Sequence, residues 1–124
     1  LKDAVALAIE SMSWMEVENL SERSSLIRTS KQLGIRDKDS LKMAQAMIIE
    51  TTRRLNMIDE VANAILSPRV LEDYTMGVKN FIRLYSYWTE FRKSNKDQAA
   101  VFLSAGRDIL GLSLYTSPSP RDRT

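Results

Sequence analysis

Two kinds of side-chain grouping in this chain are of types that do chemistry. Paired carboxylates, Asp37 with Asp39 and Glu72 with Asp73, suit acid-base work or a hard cation. Grouped cations suit phosphate: Arg28, Lys31, Arg36 and Lys38 in one stretch, then Arg53 and Arg54, then Arg92 and Lys93. The carboxylates lack the company that catalysis needs. The chain has no histidine and no cysteine, so the commonest general base, the commonest metal ligand and the thiol nucleophile are all missing. Neither pair lies in a glycine-containing acidic loop of the calcium-binding kind, and both read as helix starts and turns. No catalytic residue and no metal site is therefore expected. The six methionines read as adaptable core filler.

The elements that must position the cations are helices. Among 124 residues there are only four glycines and three prolines, two of the prolines close to the C-terminus, which leaves long uninterrupted segments. With 44% hydrophobic residues, the length suits one domain around one core. The fold class expected is all-α, a single bundle of about six to seven helices. Apolar runs such as Met43–Ile49 are too short to cross a bilayer, and the lack of cysteine fits a reducing, cytoplasmic setting. A formal charge of +2 is nearly neutral, so affinity for nucleic acid must come from local placement.

Periodicity divides the chain into helices. The first carries Val5, Ala8, Ile9, Met12 and Met15 on one stripe. The second opens at Ser21, turns Leu26, Ile27 and Leu33 inward and stops at Gly34. The third starts at Asp37 or Asp39, presents Leu41, Ala44, Met47 and Ile48, and ends near Arg53 and Arg54, where cations suit the helix dipole. A fourth runs from Asn56 with Ile58, Val61, Ala62 and Ile65 on one face and halts at Ser67-Pro68, with a short helix expected from Pro68. The segment from Met76 to Ser94 is aromatic over much of its surface, as a central bundle helix is. The last helix begins near Asn95 and weakens at Gly111.

The run MIIETTRRLNMIDEVANAIL, a spacer and FIRLYSYWTEF resembles the second half of the NusB/RsmB RNA-binding domain. Ile58 and Asp59 match that family's Ile-Asp pair. Phe81, Ile82, Arg83, Leu84 and Tyr87 match its central helix. The upstream half is similar to the N-terminal domain of RsmB-type RNA cytosine methyltransferases, and the likeness runs from Leu1 to about Gly111. The pattern departs at Glu50, where the methyltransferase branch often has glycine, and at Trp88, where the family has glutamate. The resemblance implies a helical domain that recruits rRNA or tRNA for a catalytic domain of its own chain, which would hold S-adenosylmethionine and supply paired cysteines. Nothing in this sequence matches the glycine-rich cofactor loop or those cysteines, so residues 1–111 are read as the substrate-recruiting part of an RNA 5-methylcytosine methyltransferase. Two further readings stay open: a transcription antitermination factor of the NusB type that acts with a ribosomal protein, and a helical adaptor for other proteins.

From Leu114 to Asp122 the chain matches one reading frame of a sequencing-library adapter. Residues 112–124 are accordingly expected to be a non-native, disordered tail, the Ser-Pro pairs are given no role, and the sequence is expected to be a fragment. Without Arg121, Asp122 and Arg123 the formal charge falls to +1.

Among the cations, most positions on amphipathic helices simply face solvent. Arg83 differs, because it sits inside the aromatic helix; an internal ion pair with Asp59 or a glutamate is expected there. Helical spacing puts Phe81 and Tyr85 in the core and leaves Trp14 open between core and a base-stacking surface.

Overall fold

A computed structural model describes residues 1–111, and the expectations for residues 112–124 lie outside them. The described chain is all-α with six helices: α1 (Lys2–Glu18), α2 (Glu22–Leu33), α3 (Lys38–Arg53), α4 (Leu55–Leu66), α5 (Met76–Ser86) and α6 (Lys96–Leu110). No strand occurs among the described residues, and none of their helices is long and apolar enough to cross a membrane.

Local chemistry sets the helix ends. Ser21 Oγ accepts from the Ser24 amide at 3.1 Å, and Asp37 Oδ2 accepts from both the amide and the hydroxyl of Ser40, at 3.0 and 2.8 Å. Asn95 and Gln98 cap each other's amides in a reciprocal box at 2.8 and 3.1 Å. Gly34 and Gly111, at φ of 69° and 63°, take the left-handed conformation that ends a helix without a Cβ clash.

The centre of the bundle is shared by α1 and α5. Ala4, Val5, Leu7, Ala8, Ile9 and Met12 are all buried, so α1 is covered on more sides than one stripe, packing on α2, α3, α5 and α6. Ala44, Met47 and Ile48 of α3 close one side of it. On the other side Phe102 of α6 meets Trp88, Phe81 and Tyr85 at ring-centroid distances of 4.9, 5.6 and 6.2 Å. Phe81 of α5 presses against α6 where Gly106 has no side chain. A Cβ on Gly106 would lie 2.7 Å from Phe81 Cδ1 and closer still to the next two ring carbons. Gly106→Ala should therefore cost about 1–3 kcal/mol despite alanine's better helix propensity, which thermal unfolding would reveal as a lowered midpoint.

Several sequence expectations need correction. On α2, Leu26 packs partly buried against the core as expected, but Ile27 and Leu33 are exposed; the fully buried positions are Ser25 and Thr29, one turn apart, whose small side chains admit close helix approach. On α4, Ile58 and Ala62 are buried and Val61 is half-buried. Ile65 is 69% exposed, because α4 is covered mainly along its α5 side. The helix begins at Leu55, directly after the Arg54 kink, rather than at Asn56. The short helix expected from Pro68 is a 3₁₀ turn at Leu71–Asp73, where Asp73 Oδ2 takes the Val70 amide and Asn63 Oδ1 takes the Leu71 amide. The aromatic segment is not one α-helix. After Ser86 it widens into a π-turn, Tyr87–Phe91, that carries Trp88 onto Phe102 and lets the indole donate to the Gln98 carbonyl at 3.3 Å.

Candidate nucleic-acid interface

Arg83 lies inside the bundle, with a side chain only 9% exposed. Its guanidinium makes a two-pronged pair with Asp59, Nε to Oδ1 at 2.8 Å and Nη2 to Oδ2 at 2.9 Å. Nη1 donates to Glu16 Oε1 at 3.0 Å and to Asn80 Oδ1 at 3.1 Å. Glu16 also accepts from Lys79 Nζ at 2.6 Å, and Asn80 donates to Ser13 Oγ at 3.0 Å. The network thus ties α1, α4 and α5 together, and two positions of the resembled motif, Asp59 and Arg83, meet in it. The pair expected from the sequence is present. A glutamate partner was expected without its position, which is Glu16 of α1; the burial of Lys79 and Asn80 was not expected. With its N–H groups directed to protein acceptors, Arg83 is a structural cation and not a phosphate contact.

Burial alone would work against the charge on Arg83, yet Asp59 and Glu16 hold its pKa above the ordinary value. For Glu16, partial burial would raise the pKa; Lys79 and Arg83 overcome that and hold it below the usual 4.5. A carboxylate depressed in the folded state stabilises above its unfolded pKa, and that contribution fades as pH falls through the lower folded value. Stability should therefore decline on acidification below about pH 4.5. Glu16→Gln should flatten this part of the decline, as urea unfolding across pH would show.

The surface cations divide into committed and uncommitted groups. Arg28 donates to Glu18 at 2.9 Å and stacks over Trp14, its guanidinium carbon 4.2 Å from the ring centroid. The Trp14 indole donates to Gln32 Oε1 at 2.8 Å, so this ring is engaged on a face and an edge. Arg53 and Arg54 both pair with Glu50. Arg92 lies over the buried Trp88, 4.1 Å from the ring centroid. Lys31, Arg36, Lys38 and Lys93 are exposed and have no partner among the described residues.

Helix geometry separates these groups. Arg53 and Arg54 stand about 22 Å along α3 from Lys38, given 1.5 Å rise per residue. The Arg92–Lys93 pair follows the π-turn instead. Lys31 ends α2, Arg36 and Lys38 occupy the turn to α3, and Lys42 follows Lys38 by one turn on α3. Between Glu22 and Lys42 there are six cations and three carboxylates; the rest of the described chain has ten and twelve. The positive excess of the described residues is thus confined to α2, the α2–α3 turn and the start of α3. Lys31 and Lys42 line the same depression there, about 280 Å³, with Leu26, Ile27, Leu41, Ser30 and Gln45. Lys42 and Gln45 were missed in the sequence; the spacing of Lys38 and Lys42 was the available signal for the first.

A larger cavity of about 480 Å³ lies between α4, α5 and α6, with Ile65, Leu66, Tyr85, Ile82 and Leu103 in its walls and Glu90 as its one carboxylate. No group of three or more metal-ligating side chains suited to an ion occurs among the described residues.

No family model and no curated protein matches the chain. Among solved structures, the chain is similar to one from "Crystal Structure of a Plectonemic RNA Supercoil", with a TM-score of 0.69, 16% identity, and coverage of 89% of this chain and 88% of that one. At that identity the likeness is one of fold.

Proposed function

We propose that this chain is an RNA-binding helical domain of the NusB/RsmB type, most like the recruiting domain of an RNA 5-methylcytosine methyltransferase. The observation that carries the reading is the α2–α3 corner. Lys31, Arg36, Lys38 and Lys42 stand there without carboxylate partners, while the rest of the described chain is net acidic. Phosphates are the ligand that such a concentration of uncommitted ammonium and guanidinium groups suits. The presence of the same fold in a crystal structure of an RNA supercoil supports the choice of RNA, and so does the sequence resemblance.

In this role the chain does no chemistry. Its cations position RNA, the Asp59–Arg83–Glu16 network around the buried guanidinium ties α1, α4 and α5 into one bundle, and S-adenosylmethionine with the reacting groups belongs to a separate catalytic domain. The setting proposed is cytoplasmic. Fluorescence anisotropy with a labelled rRNA fragment tests the reading: the logarithm of the binding constant should fall linearly with the logarithm of salt concentration, with a slope set by a few phosphates. A helical protein-protein adaptor would show no such binding.

A further inference from the structure

The depression between α2 and α3 combines features that a purely electrostatic surface lacks. Lys31 and Lys42 approach it from two helices, no carboxylate lines it, and its other walls include Leu26, Ile27 and Leu41. Ile27, at 49% exposure, leaves apolar surface open to solvent between two cations. Of the two uncharged polar residues, Ser30 is occupied, since its hydroxyl donates to the Ile35 carbonyl at 2.9 Å. Gln45 is free of partners among the described residues, and its amide offers both donor and acceptor to one ligand edge.

We infer that this depression seats one unpaired nucleotide of a single RNA strand, the base against Ile27 and Leu41 and the adjoining phosphates on Lys31 and Lys42. The inference rests on the RNA-binding reading and narrows it. A duplex keeps its bases stacked and paired and presents a shallow groove to side chains, so it has no base to place in a depression with apolar walls. An unpaired strand offers a flat apolar face, a hydrogen-bonding edge and flanking charges, matching the wall, the Gln45 amide and the two ammonium groups. With no uncommitted aromatic at the site, stacking is replaced by aliphatic contact, so weak preference among bases is expected and Gln45 is the residue that would create what preference exists.

The test compares the whole chain with Lys31→Ala/Lys42→Ala and, separately, Ile27→Ser. Each is titrated with a labelled single-stranded oligoribonucleotide and with a hairpin whose stem pairs the same bases. Both lysines are exposed and unpaired, so the helical circular-dichroism signal should be unchanged in the variant. Losing two single-strand phosphate contacts should lower the steepness of the salt dependence by about 1.4. The wild type should prefer the single strand to the stem, and Ile27→Ser should weaken binding several-fold without altering the slope. Equal affinity for strand and stem, or a slope unchanged in the double variant, would overturn the nucleotide site while leaving RNA binding in place. Failure of the wild type to bind either RNA would overturn the RNA-binding reading itself.

Discussion

Asp59→Ala should destabilise the domain by about 3 kcal/mol, the lower end of what breaking a buried ion pair costs. The mechanism is the charge left behind. Arg83 keeps its guanidinium inside the bundle, loses both prongs of the Asp59 contact and retains Glu16 and Asn80, which is why the upper end of the range is not reached. Arg83→Met should cost less than Asp59→Ala, because the partners it abandons, Asp59 and Glu16, are 27% and 36% exposed and can hydrate. Combining Asp59→Ala with Arg83→Met should then be less damaging than the sum of the single changes, since neither leaves the other unpaired. Chemical denaturation of the four proteins checks this. Purely additive losses would mean that the two side chains do not act as a pair.

The second large effect concerns Phe102. It is fully buried and meets Phe81, Tyr85 and Trp88, so it is where α5, the π-turn and α6 are joined. Phe102→Ala should cost about 3–5 kcal/mol through lost transfer energy and the cavity left among the rings. Against a total stability of about 5–15 kcal/mol for a domain, that is a large fraction, and the thermal midpoint should fall by more than about 10 °C. Phe102→Leu should recover much of the loss by refilling the volume. A midpoint unchanged by the alanine variant would mean that α6 does not dock through this cluster.

Much of the fold was legible because its signals are local. Ser21, Asp37, Asn95, Gly34 and Gly111 mark helix ends through atoms within a few residues of each end, and each sits at the end expected of it. The inward position of Arg83 was legible from its aromatic neighbours on α5. What was not legible depends on distant partners. Glu16 lies 67 residues from Arg83, and nothing in either local pattern announces that α1 brings a carboxylate to it. The inner face of α2 was misread because hydrophobicity was taken as the guide, whereas close packing on α1 favours Ser25 and Thr29 there and leaves Ile27 outside. That same exposed Ile27 is part of the depression assigned to RNA. The π-turn escaped notice because widening by one residue per turn leaves no mark on composition.

The candidate cations show the same division. The sequence grouped them by proximity along the chain, and Lys31, Arg36 and Lys38 do stand at one corner. Whether a cation is spent on a neighbour depends on tertiary placement. Glu18 and Trp14 take Arg28 across 10 and 14 residues, a gap that no short motif spans, whereas Glu50 lies within one turn of Arg53 and Arg54, and Trp88 lies four residues before Arg92. Lys42 belongs to the site through the depression that α2 and α3 share.

The most direct measurement of the central claim is a titration of isotopically labelled protein with single-stranded RNA, followed by backbone amide shifts. Changes should be concentrated from Ile27 to Gln45, with the Asp59–Arg83 network and the cavity beside Ile65 undisturbed. Shifts confined to the α4–α5 side, or none at RNA concentrations well above those of the protein, would contradict it.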